Sequence, residues 1–320
     1  MIYSKNAVNI LTALKYKGIG PAWIYKNWFE GINEQQIVDL LNKTCKNEET
    51  STEDFLKKRE KIIHLLESSL EIDGVVSFGD VNFPHCRGNV KSSEKPVVLF
   101  YKGDLNLLNK VNQNVAVIGV LKPENTIEER EANMVIQLVK TGYTILSGLA
   151  LGCDSIAHVQ TLDMGGKTIA VLPSTIRDVL PTQNKELAQR IVTNGGLLIT
   201  EYYNDAKSSF ELRGRYQNRD RLQAMFSDAI VLTASYDVNE RGDDCGSRLA
   251  MEYARQYQIA RYVMYNENTD INNPQFDLNR RILKEGDSQI ITTQKINNLI
   301  KHKSLQSKDL QLGIFDEIIK

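Results

Sequence analysis

The chain has 320 residues, an apolar fraction of 42% and a formal net charge of −1. This length allows one large and one smaller domain, and the near-neutral charge excludes a globally basic nucleic-acid-binding protein, so that any such binding must come from a local patch. Cys45, Cys86, Cys153 and Cys245 form no C-x-x-C pair, which argues against a disulfide framework and a zinc site. Since no secretion signal or long apolar segment is visible, we predict a cytoplasmic protein without a membrane span.

Residues 1–70 are predicted to form a small helical domain. Apolar residues recur at helical spacing on both sides of the glycine-containing turn Lys17–Pro21, and a further helix is predicted to contain Phe55 to Leu70. Two helices joined by a Gly-x-Gly turn are typical of a helix-hairpin-helix, in which backbone amides contact a DNA phosphate. A plain corner between two helices explains the same pattern, so both interpretations stay open.

Residues 71–300 are predicted to form an α/β core, and residues 301–320, which begin with the polar stretch 301–310, a flexible C-terminal tail. Stretches with helical periodicity, such as Glu128–Val139 and Lys185–Val192, separate short apolar runs. The runs that predict strands are Val115–Ile118, Tyr143–Leu146, Thr168–Leu172, Leu197–Thr200, Ala229–Leu232 and Tyr262–Tyr265. This alternation predicts a parallel sheet covered by helices on both faces, and ligands bind such sheets outside the carboxyl ends of the strands.

The most informative segment is 143–158, YTILSGLALGCDSIAH. A short buried strand is broken by small residues that include Gly148 and Gly152, and Asp154 opens the next helix. This arrangement directs backbone N–H groups and the positive helix end to one spot, which predicts a phosphate site. A plain strand-to-helix turn is the alternative. His158, four residues after Asp154, is predicted to brace the loop rather than to act in catalysis.

Four further segments are predicted to meet this loop at the same edge of the sheet. They are Gly119–Lys122, Gly165–Lys167, Tyr216–Arg221 leading into a helix, and Cys245–Ser247 before a helix at Arg248–Gln256. Arg213, Arg215, Arg219 and Arg221 give four arginines within nine residues. Arginine matches phosphate geometry better than any other side chain, so this cluster is predicted to contact a ligand.

Short motifs occur in a fixed order along the core. They are SGLAxGxD (Ser147–Asp154), GGxTIAVLP from Gly165, P-x-x-N (Pro181–Asn184), GG-LL-x-x-E (Gly195–Glu201), aromatic-x-x-R-x-R (Tyr216–Arg221) and G-S before a helix (Gly246–Ser247). In this order the motifs resemble the DprA/Smf family of DNA-processing proteins, from about Phe78 to Ile300. The resemblance implies an extended Rossmann-like, doubly wound and mostly parallel sheet.

The resemblance also implies a function and a set of site residues. Members of the family bind single-stranded DNA in a basic pocket, help to load the RecA recombinase during natural transformation, form homodimers through the core, and have no accepted enzymatic activity or cofactor. Carried over by position, the DNA- or phosphate-binding residues would be Lys122, Ser147, Gly148, Leu149, Gly152, Asp154, Lys167, Arg219, Arg221, Gly246 and Ser247. The aromatic ring of Tyr216 or Tyr202 is expected to stack on a base.

The sequence departs from the family pattern at the pocket. The usual Gly-Ser-Arg is Gly119–Leu121, so that the nearest cation, Lys122, comes one position late, and the usual Arg-Asn-Arg carries Asp220 in its centre. The C-terminal winged helix usual in the family is not expected here. Losing one arginine contact costs on the order of 1–3 kcal/mol. Weakened DNA binding is therefore one expectation, and binding of a small or cyclic nucleotide in the same pocket is the other.

Hydrolysis of such a nucleotide is not expected. Related nucleotide-hydrolysing enzymes resemble one another in a Gly-Gly-x-Gly-Thr-x-x-Glu motif. Aligning Gly246-Ser247 with its Gly-Thr places Ala250 at the glutamate, while Glu252 comes two positions late. Glu201 is predicted to orient an arginine of the cluster, Arg219 or Arg221, and an ordinary strand-end carboxylate is the alternative.

The last residues contain a separate motif. Gln311, Leu312, Ile314 and Phe315 resemble the peptide by which bacterial proteins bind the DNA polymerase sliding clamp. A flexible tail would present the three apolar side chains to a groove, with Gln311 supplying hydrogen bonds. A terminal helix that packs on the core is the competing interpretation. The sequence does not determine the oligomeric state, RecA binding, or whether the host is a cell or a mobile element.

Overall fold

The computed structural model describes residues 3–45, 49–68, 71–238 and 246–297. Its strands are β1 (Gly74–Ser77), β2 (Val98–Gly103), β3 (Asn114–Ile118), β4 (Thr144–Ser147), β5 (Thr168–Val171), β6 (Leu197–Thr200), β7 (Ala229–Leu232), β8 (Ala260–Val263) and β9 (Ser288–Ile290). Its α-helices are α1 (Lys5–Ala13), α2 (Pro21–Asn27), α3 (Glu34–Thr44), α4 (Thr52–Glu67), α5 (Asn125–Lys140), α6 (Cys153–Asp163), α7 (Lys185–Thr193), α8 (Ser209–Met225), α9 (Ser247–Gln256) and α10 (Asp277–Lys284). Three short 3-10 helices occupy Leu105–Leu108, Thr182–Asn184 and Pro274–Phe276.

All described strands join one sheet in the order β1-β2-β6-β5-β4-β3-β7-β8-β9. β2 runs antiparallel to β1 and β6, whereas every other neighbouring pair is parallel. From β3 the chain adds strands on one side up to β6 and then returns to place β7 on the other side of β3. This confirms the predicted doubly wound, mostly parallel α/β fold. The reversal between β3 and β7 is the point at which such sheets bind ligands.

The six predicted strands are all present, most with ends within one residue of the prediction. β3, β4, β5, β6 and β7 are buried along their whole length, as expected for a parallel sheet covered on both faces. The exception is Tyr262–Tyr265, because β8 begins two residues earlier. That strand contains Arg261, whose buried guanidinium pairs with Glu285 at 2.9 Å. Because a charged residue interrupts the apolar run, the sequence pattern does not predict the start of β8. β1, β2 and β9 are absent from the predicted strands.

The N-terminal region is helical, as predicted, and packs on the sheet. The turn Lys17–Pro21 joins α1 to α2, and capping side chains at Ser4, Asn33 and Ser51 begin α1, α3 and α4. Phe55 of α4 belongs to the same hydrophobic core as the inner face of β2. The domain boundary near residue 70 therefore stays a prediction, as does DNA contact by the turn.

Among the described residues, no helix is long and apolar enough to cross a membrane. The same part of the chain contains no cluster of three or more His, Cys, Asp or Glu side chains able to hold a metal ion. The predicted clamp-binding residues Gln311, Leu312, Ile314 and Phe315 lie outside the described residues.

Candidate functional site

A cavity of about 300 Å³, here called the edge pocket, opens at the carboxyl edge of the sheet where β3 and β7 are neighbours. The loops after β3 and β4, helix α8 and the start of α9 enclose it. Its lining residues are Ile118, Gly119, Leu121, Ala150, Leu151, Asp154, Pro181, Tyr216, Arg219, Asp220, Gln223, Gly246 and Ser247. The convergence of these segments follows from the topology, because parallel strands end at one edge of the sheet.

The loop after β4 already holds an anion, which is a carboxylate of its own chain. Asp154 Oδ2 accepts hydrogen bonds from the backbone N–H groups of Gly148 and Ala150, each at 3.2 Å. The Ser147 hydroxyl donates to the Val117 carbonyl at 2.7 Å. The predicted phosphate contacts at Ser147 and Gly148 are therefore occupied within the protein. The loop is an internally capped turn, with Asp154 where a phosphate was expected.

Two residues of this loop have backbone conformations that explain its shape. Leu149 is fully buried with φ +58°, and Gly152 has φ +70°. A Cβ on Gly152 would lie 2.5 Å from the carbonyl oxygen of Leu121. Glycine is needed here because the loops after β3 and β4 touch, rather than because a ligand approaches.

Among the described residues, Arg219 is the cation in the wall of the edge pocket. Its Nη1 lies 3.6 Å from Asp154 Oδ2 and 3.3 Å from Asp220 Oδ1, and its side chain is 9% exposed. The guanidinium carbon is 5.6 Å from the centre of the Tyr216 ring. Burial raises the pKa of Asp154, and the charge of Arg219 opposes that rise. Asp220, which also lines the pocket, places a negative charge beside Arg219, as the sequence predicts.

Arg221 has different surroundings, although it is only two residues from Arg219. Its Nη2 binds both oxygens of Glu201, at 2.8 and 2.7 Å, and its side chain does not line the edge pocket. The segment Tyr216–Arg221 lies inside α8 rather than before a helix, which corrects the prediction. Side chains two positions apart on a helix point about 200° apart, so the two arginines face opposite ways.

The other two arginines of the cluster also lie outside the pocket wall. Arg215 is buried and donates to the Asn204 carbonyl at 2.6 Å, while Arg213 is exposed on α8. Tyr202 lies under Arg215, with the guanidinium carbon 4.2 Å from its ring centre. Of the two tyrosines predicted to stack on a base, Tyr216 lines the pocket and Tyr202 does not.

Lys167 is at the opposite edge of the sheet, which corrects its predicted place in the pocket. It precedes β5, so it lies at the amino end of a parallel strand. Its Nζ donates to the Asn194 carbonyl at 2.6 Å, at the end of α7. Lys122 is exposed and does not line the pocket, whereas Leu121, 50% exposed, does.

The start of α9 forms the remaining wall. Gly246 has φ +40°, and a Cβ there would lie 3.0 Å from Asp220 Oδ2. The Ser247 hydroxyl lies 3.3 Å from the Gly119 carbonyl and so links α9 to the loop after β3. The positive end of this ten-residue helix is directed at the pocket rim. Cys245 lies outside the described residues.

His158 lies behind the loop and not in the pocket lining. It is fully buried, and its Nδ1 is 2.7 Å from the Thr168 hydroxyl. Burial lowers its pKa to about 3, so the ring is neutral near pH 7. This contact ties α6 to β5, while the bracing of the loop by His158 stays a prediction.

Gln223 is a polar residue of the pocket lining that the sequence interpretation missed. It is 1% exposed and lines the cavity one helical turn after Arg219. The spacing of four residues, which places both side chains on one face of α8, is the signal that could have found it.

Comparison with known proteins identifies the family. The family described as DNA recombination-mediator protein A matches residues 74–302. Protein Smf of Borreliella burgdorferi is 29% identical over 181 residues, which cover 56% of this chain and 53% of that protein. DNA processing protein DprA of Streptococcus pneumoniae is 39% identical over 109 residues, which cover 34% of this chain and 37% of that protein. The chain thus matches about half, or less, of the length of these relatives.

Two solved structures share the fold. DprA from Streptococcus pneumoniae has a TM-score of 0.67 at 24% identity and covers 90% of this chain and 96% of its own. DNA processing protein A from Helicobacter pylori, whose structure concerns a unique single-stranded DNA binding mode, has a TM-score of 0.58 at 27% identity, covering 71% of this chain and 96% of its own. The predicted resemblance is confirmed: the chain belongs to the DNA recombination-mediator protein A family, that of the DprA/Smf proteins.

Proposed function

We propose that this chain binds single-stranded DNA in the edge pocket and acts in DNA uptake and recombination without catalysing a reaction. The observation that carries the proposal is the pairing of Arg219 with the Tyr216 ring in the wall of a cavity at the β3–β7 reversal. A cation beside an aromatic ring is how single-stranded nucleic acids are commonly held. The Helicobacter pylori relative, whose structure concerns a single-stranded DNA binding mode, supports the same ligand class.

The charges around the pocket favour modest affinity. Arg219 is close to the carboxylates of Asp154 and Asp220, so its charge is already offset before a ligand arrives. Stacking on Tyr216 then supplies an important part of the binding free energy, typically about 1–3 kcal/mol per base. The sugar-phosphate backbone of the bound DNA would follow the pocket rim, where the positive end of α9 lies.

The test compares Arg219→Ala with Lys167→Ala in fluorescence-anisotropy titrations of labelled oligothymidylate at several salt concentrations. Arg219→Ala should weaken binding about tenfold or more, whereas Lys167→Ala, at the other edge of the sheet, should leave it unchanged. Tyr216→Ala, which leaves the buried ion pairs intact, provides a second pocket variant. Wild-type affinity in both Arg219→Ala and Tyr216→Ala would refute the site.

A small or cyclic nucleotide, bound without hydrolysis, is the second candidate. The closeness of two carboxylates to Arg219 favours it, since a long polyanion gains little there. Ala250 is buried in α9 and Glu252 pairs with Arg248 at 2.9 Å, so neither supplies a pocket carboxylate for hydrolysis. A thermal shift with a nucleotide panel, run beside the oligothymidylate titration, distinguishes the two ligands.

The partners implied by the family resemblance form part of the proposal. We expect a homodimer, and delivery of single-stranded DNA to RecA. Light scattering tests the first, and RecA filament formation on protein-coated DNA tests the second.

Deletion of residues 309–320 should abolish binding to the DNA polymerase sliding clamp if Gln311–Phe315 is the docking peptide. Retained clamp binding, or its absence in the full chain, would exclude that role.

A further inference from the structure

The side-chain amide of Gln223 is a buried donor in the edge pocket. Its Nε2 has no hydrogen-bond acceptor among the residues that the structure describes. The backbone carbonyl of Gln223 is used within α8, where it accepts from the Ser227 hydroxyl at 2.8 Å. An amide donor without an acceptor is unfavourable in a protein interior, so such a group invites a ligand acceptor.

A second donor lies beside the first. Arg219 Nε also has no acceptor among the described residues. Both side chains cover Gly148: a Cβ on that glycine would overlap the Arg219 guanidinium and would lie 2.8 Å from Gln223 Nε2. The wall of the pocket therefore contains two buried donors without an acceptor among the described residues. Because the terminal torsion of a glutamine is soft, we expect rotation about it to turn Nε2 towards a ligand in the cavity.

The surrounding charges decide which kind of acceptor fits. Asp154 and Asp220 lie within 3.6 Å of Arg219, and a phosphate would bring a further negative charge to the same point. A neutral carbonyl oxygen accepts the same hydrogen bonds without that repulsion. Tyr216 in the wall supplies a surface for a flat ring. These features fit a nucleobase better than a phosphate.

We propose that the edge pocket holds a keto nucleobase and that Gln223 donates a hydrogen bond from Nε2 to its carbonyl oxygen. Thymine, uracil, cytosine and guanine carry such an oxygen, whereas adenine carries none. Unstacked bases are commonly recognised by hydrogen bonds to their edges. The proposal rests on the proposed function and makes Gln223 the residue that selects the base. The phosphates then lie outside the cavity, at the rim.

The test compares ligands that differ in one group. Calorimetric titrations of the full chain use inosine 5′-monophosphate, adenosine 5′-monophosphate and ribose 5-phosphate. The first two have the same ring system and differ in a keto or amino group at one carbon. Inosine 5′-monophosphate should bind about tenfold more tightly than adenosine 5′-monophosphate, and ribose 5-phosphate should bind weakest.

Substitutions then assign the preference to one side chain. Gln223→Leu should bring the two nucleotides within about twofold of each other, and Gln223→Glu should favour the amino base, because a carboxylate accepts where the amide donates. Gln217→Leu is the matched control, since Gln217 is exposed on the same helix and does not line the cavity. It should keep the wild-type ratio. Gln223→Leu should also raise the melting temperature, because it removes an unpaired buried donor.

The outcomes separate this proposal from the one on which it rests. Equal affinity for the two nucleotides, or identical ratios in Gln223→Leu and Gln217→Leu, overturns the assignment of Gln223. Ribose 5-phosphate binding as tightly as inosine 5′-monophosphate makes the pocket a phosphate site and overturns it too. In each case DNA binding that is lost in Tyr216→Ala still supports the proposed function. Failure of every nucleotide and oligonucleotide to bind refutes both.

Discussion

Arg219 and Arg221 differ in what each side chain does, although both are buried in α8. Arg219 lines the edge pocket between Asp154 and Asp220, whereas Arg221 is held by both oxygens of Glu201. Removing one partner from a buried pair leaves an uncompensated charge, which is costly for stability. At the residue scale, then, Arg219 is the one of these two arginines that lines the edge pocket, and Arg221 is held in an ion pair with Glu201.

Leu121 is the residue whose replacement should strengthen DNA binding. It is half-exposed on the pocket wall, so Leu121→Arg adds a cation there at little cost to folding. One extra charged hydrogen bond should tighten oligothymidylate binding about tenfold and steepen the logarithmic salt dependence by about 0.7. Anisotropy titrations at several salt concentrations measure both.

Val111→Arg is the control for that prediction. Val111 is also exposed and apolar, but it precedes β3 and so lies towards the amino ends of the parallel strands. This variant adds the same charge away from the edge pocket. If it tightens binding as much as Leu121→Arg, the effect comes from net charge and not from the pocket.

His158 should make folding stability depend on pH. Burial lowers its pKa to about 3 in the folded protein, compared with about 6.5 when unfolded. Below pH 6.5 the unfolded chain gains a proton that the folded protein does not, so stability falls by about 1.4 kcal/mol per pH unit. Between pH 7 and pH 5, wild type should therefore lose about 2 kcal/mol more than His158→Gln in urea denaturation. Equal losses would show that the ring is protonated in the folded state.

At the scale of elements, the site depends on contact between α8 and the loop after β4. Gly148 lets the Arg219 guanidinium and the Gln223 amide lie directly on the loop backbone. The same loop is fixed from below by Asp154, which caps two of its N–H groups. The geometry of the pocket wall is thus set by close packing of a helix on a turn.

Gly148→Ala should disturb this contact. The added methyl overlaps Arg219, so the side chain must move, with a loss of about 1–3 kcal/mol in stability and weaker oligothymidylate binding. Gly214→Ala is the control. Gly214 lies in α8, the helix that carries Arg219, and a Cβ there has open space. It should stabilise the protein by about 0.5–1 kcal/mol through helix propensity. Urea denaturation and anisotropy compare the two variants, and equal effects would contradict the proposed packing.

At the scale of the whole molecule, the N-terminal helices and the antiparallel edge of the sheet form one core. Phe55 packs in the same cluster as Val98 and Phe100 of β2, and residue 3 bridges to Val75 of β1. The edge strands therefore depend on the helices for burial of their apolar face.

Deletion of residues 1–70 should consequently destabilise the core. It uncovers Val75, Val98 and Phe100, each of which contributes about 1.5–3 kcal/mol when buried, so a loss of about 5 kcal/mol is expected. Thermal denaturation of the truncated chain measures it. An unchanged melting temperature would instead support an independent helical domain ending near residue 70.

The sequence pattern predicts correctly, for most segments of the site, at which edge of the sheet they lie. The buried runs of β3, β4 and β7 predict parallel strands, and parallel strands place the loops that follow them together. The sequence analysis places Lys167 at that edge, but Lys167 precedes β5 and therefore lies at the amino ends of the parallel strands. Whether a residue comes before or after its strand, and not its charge, determines at which edge of the sheet it lies.

The sequence by itself determined the strand–helix alternation, the family and the segments that form the edge pocket, because these depend on local periodicity and on chain order. The tertiary structure alone decided what each polar side chain binds. Asp154 accepts from the loop amides that a phosphate was expected to occupy, and Glu201 pairs with Arg221. Gln223 keeps a donor without an acceptor in the part of the chain that the structure describes. Hydrogen-bond and ion-pair partners come from distant parts of the chain, so no local pattern specifies them.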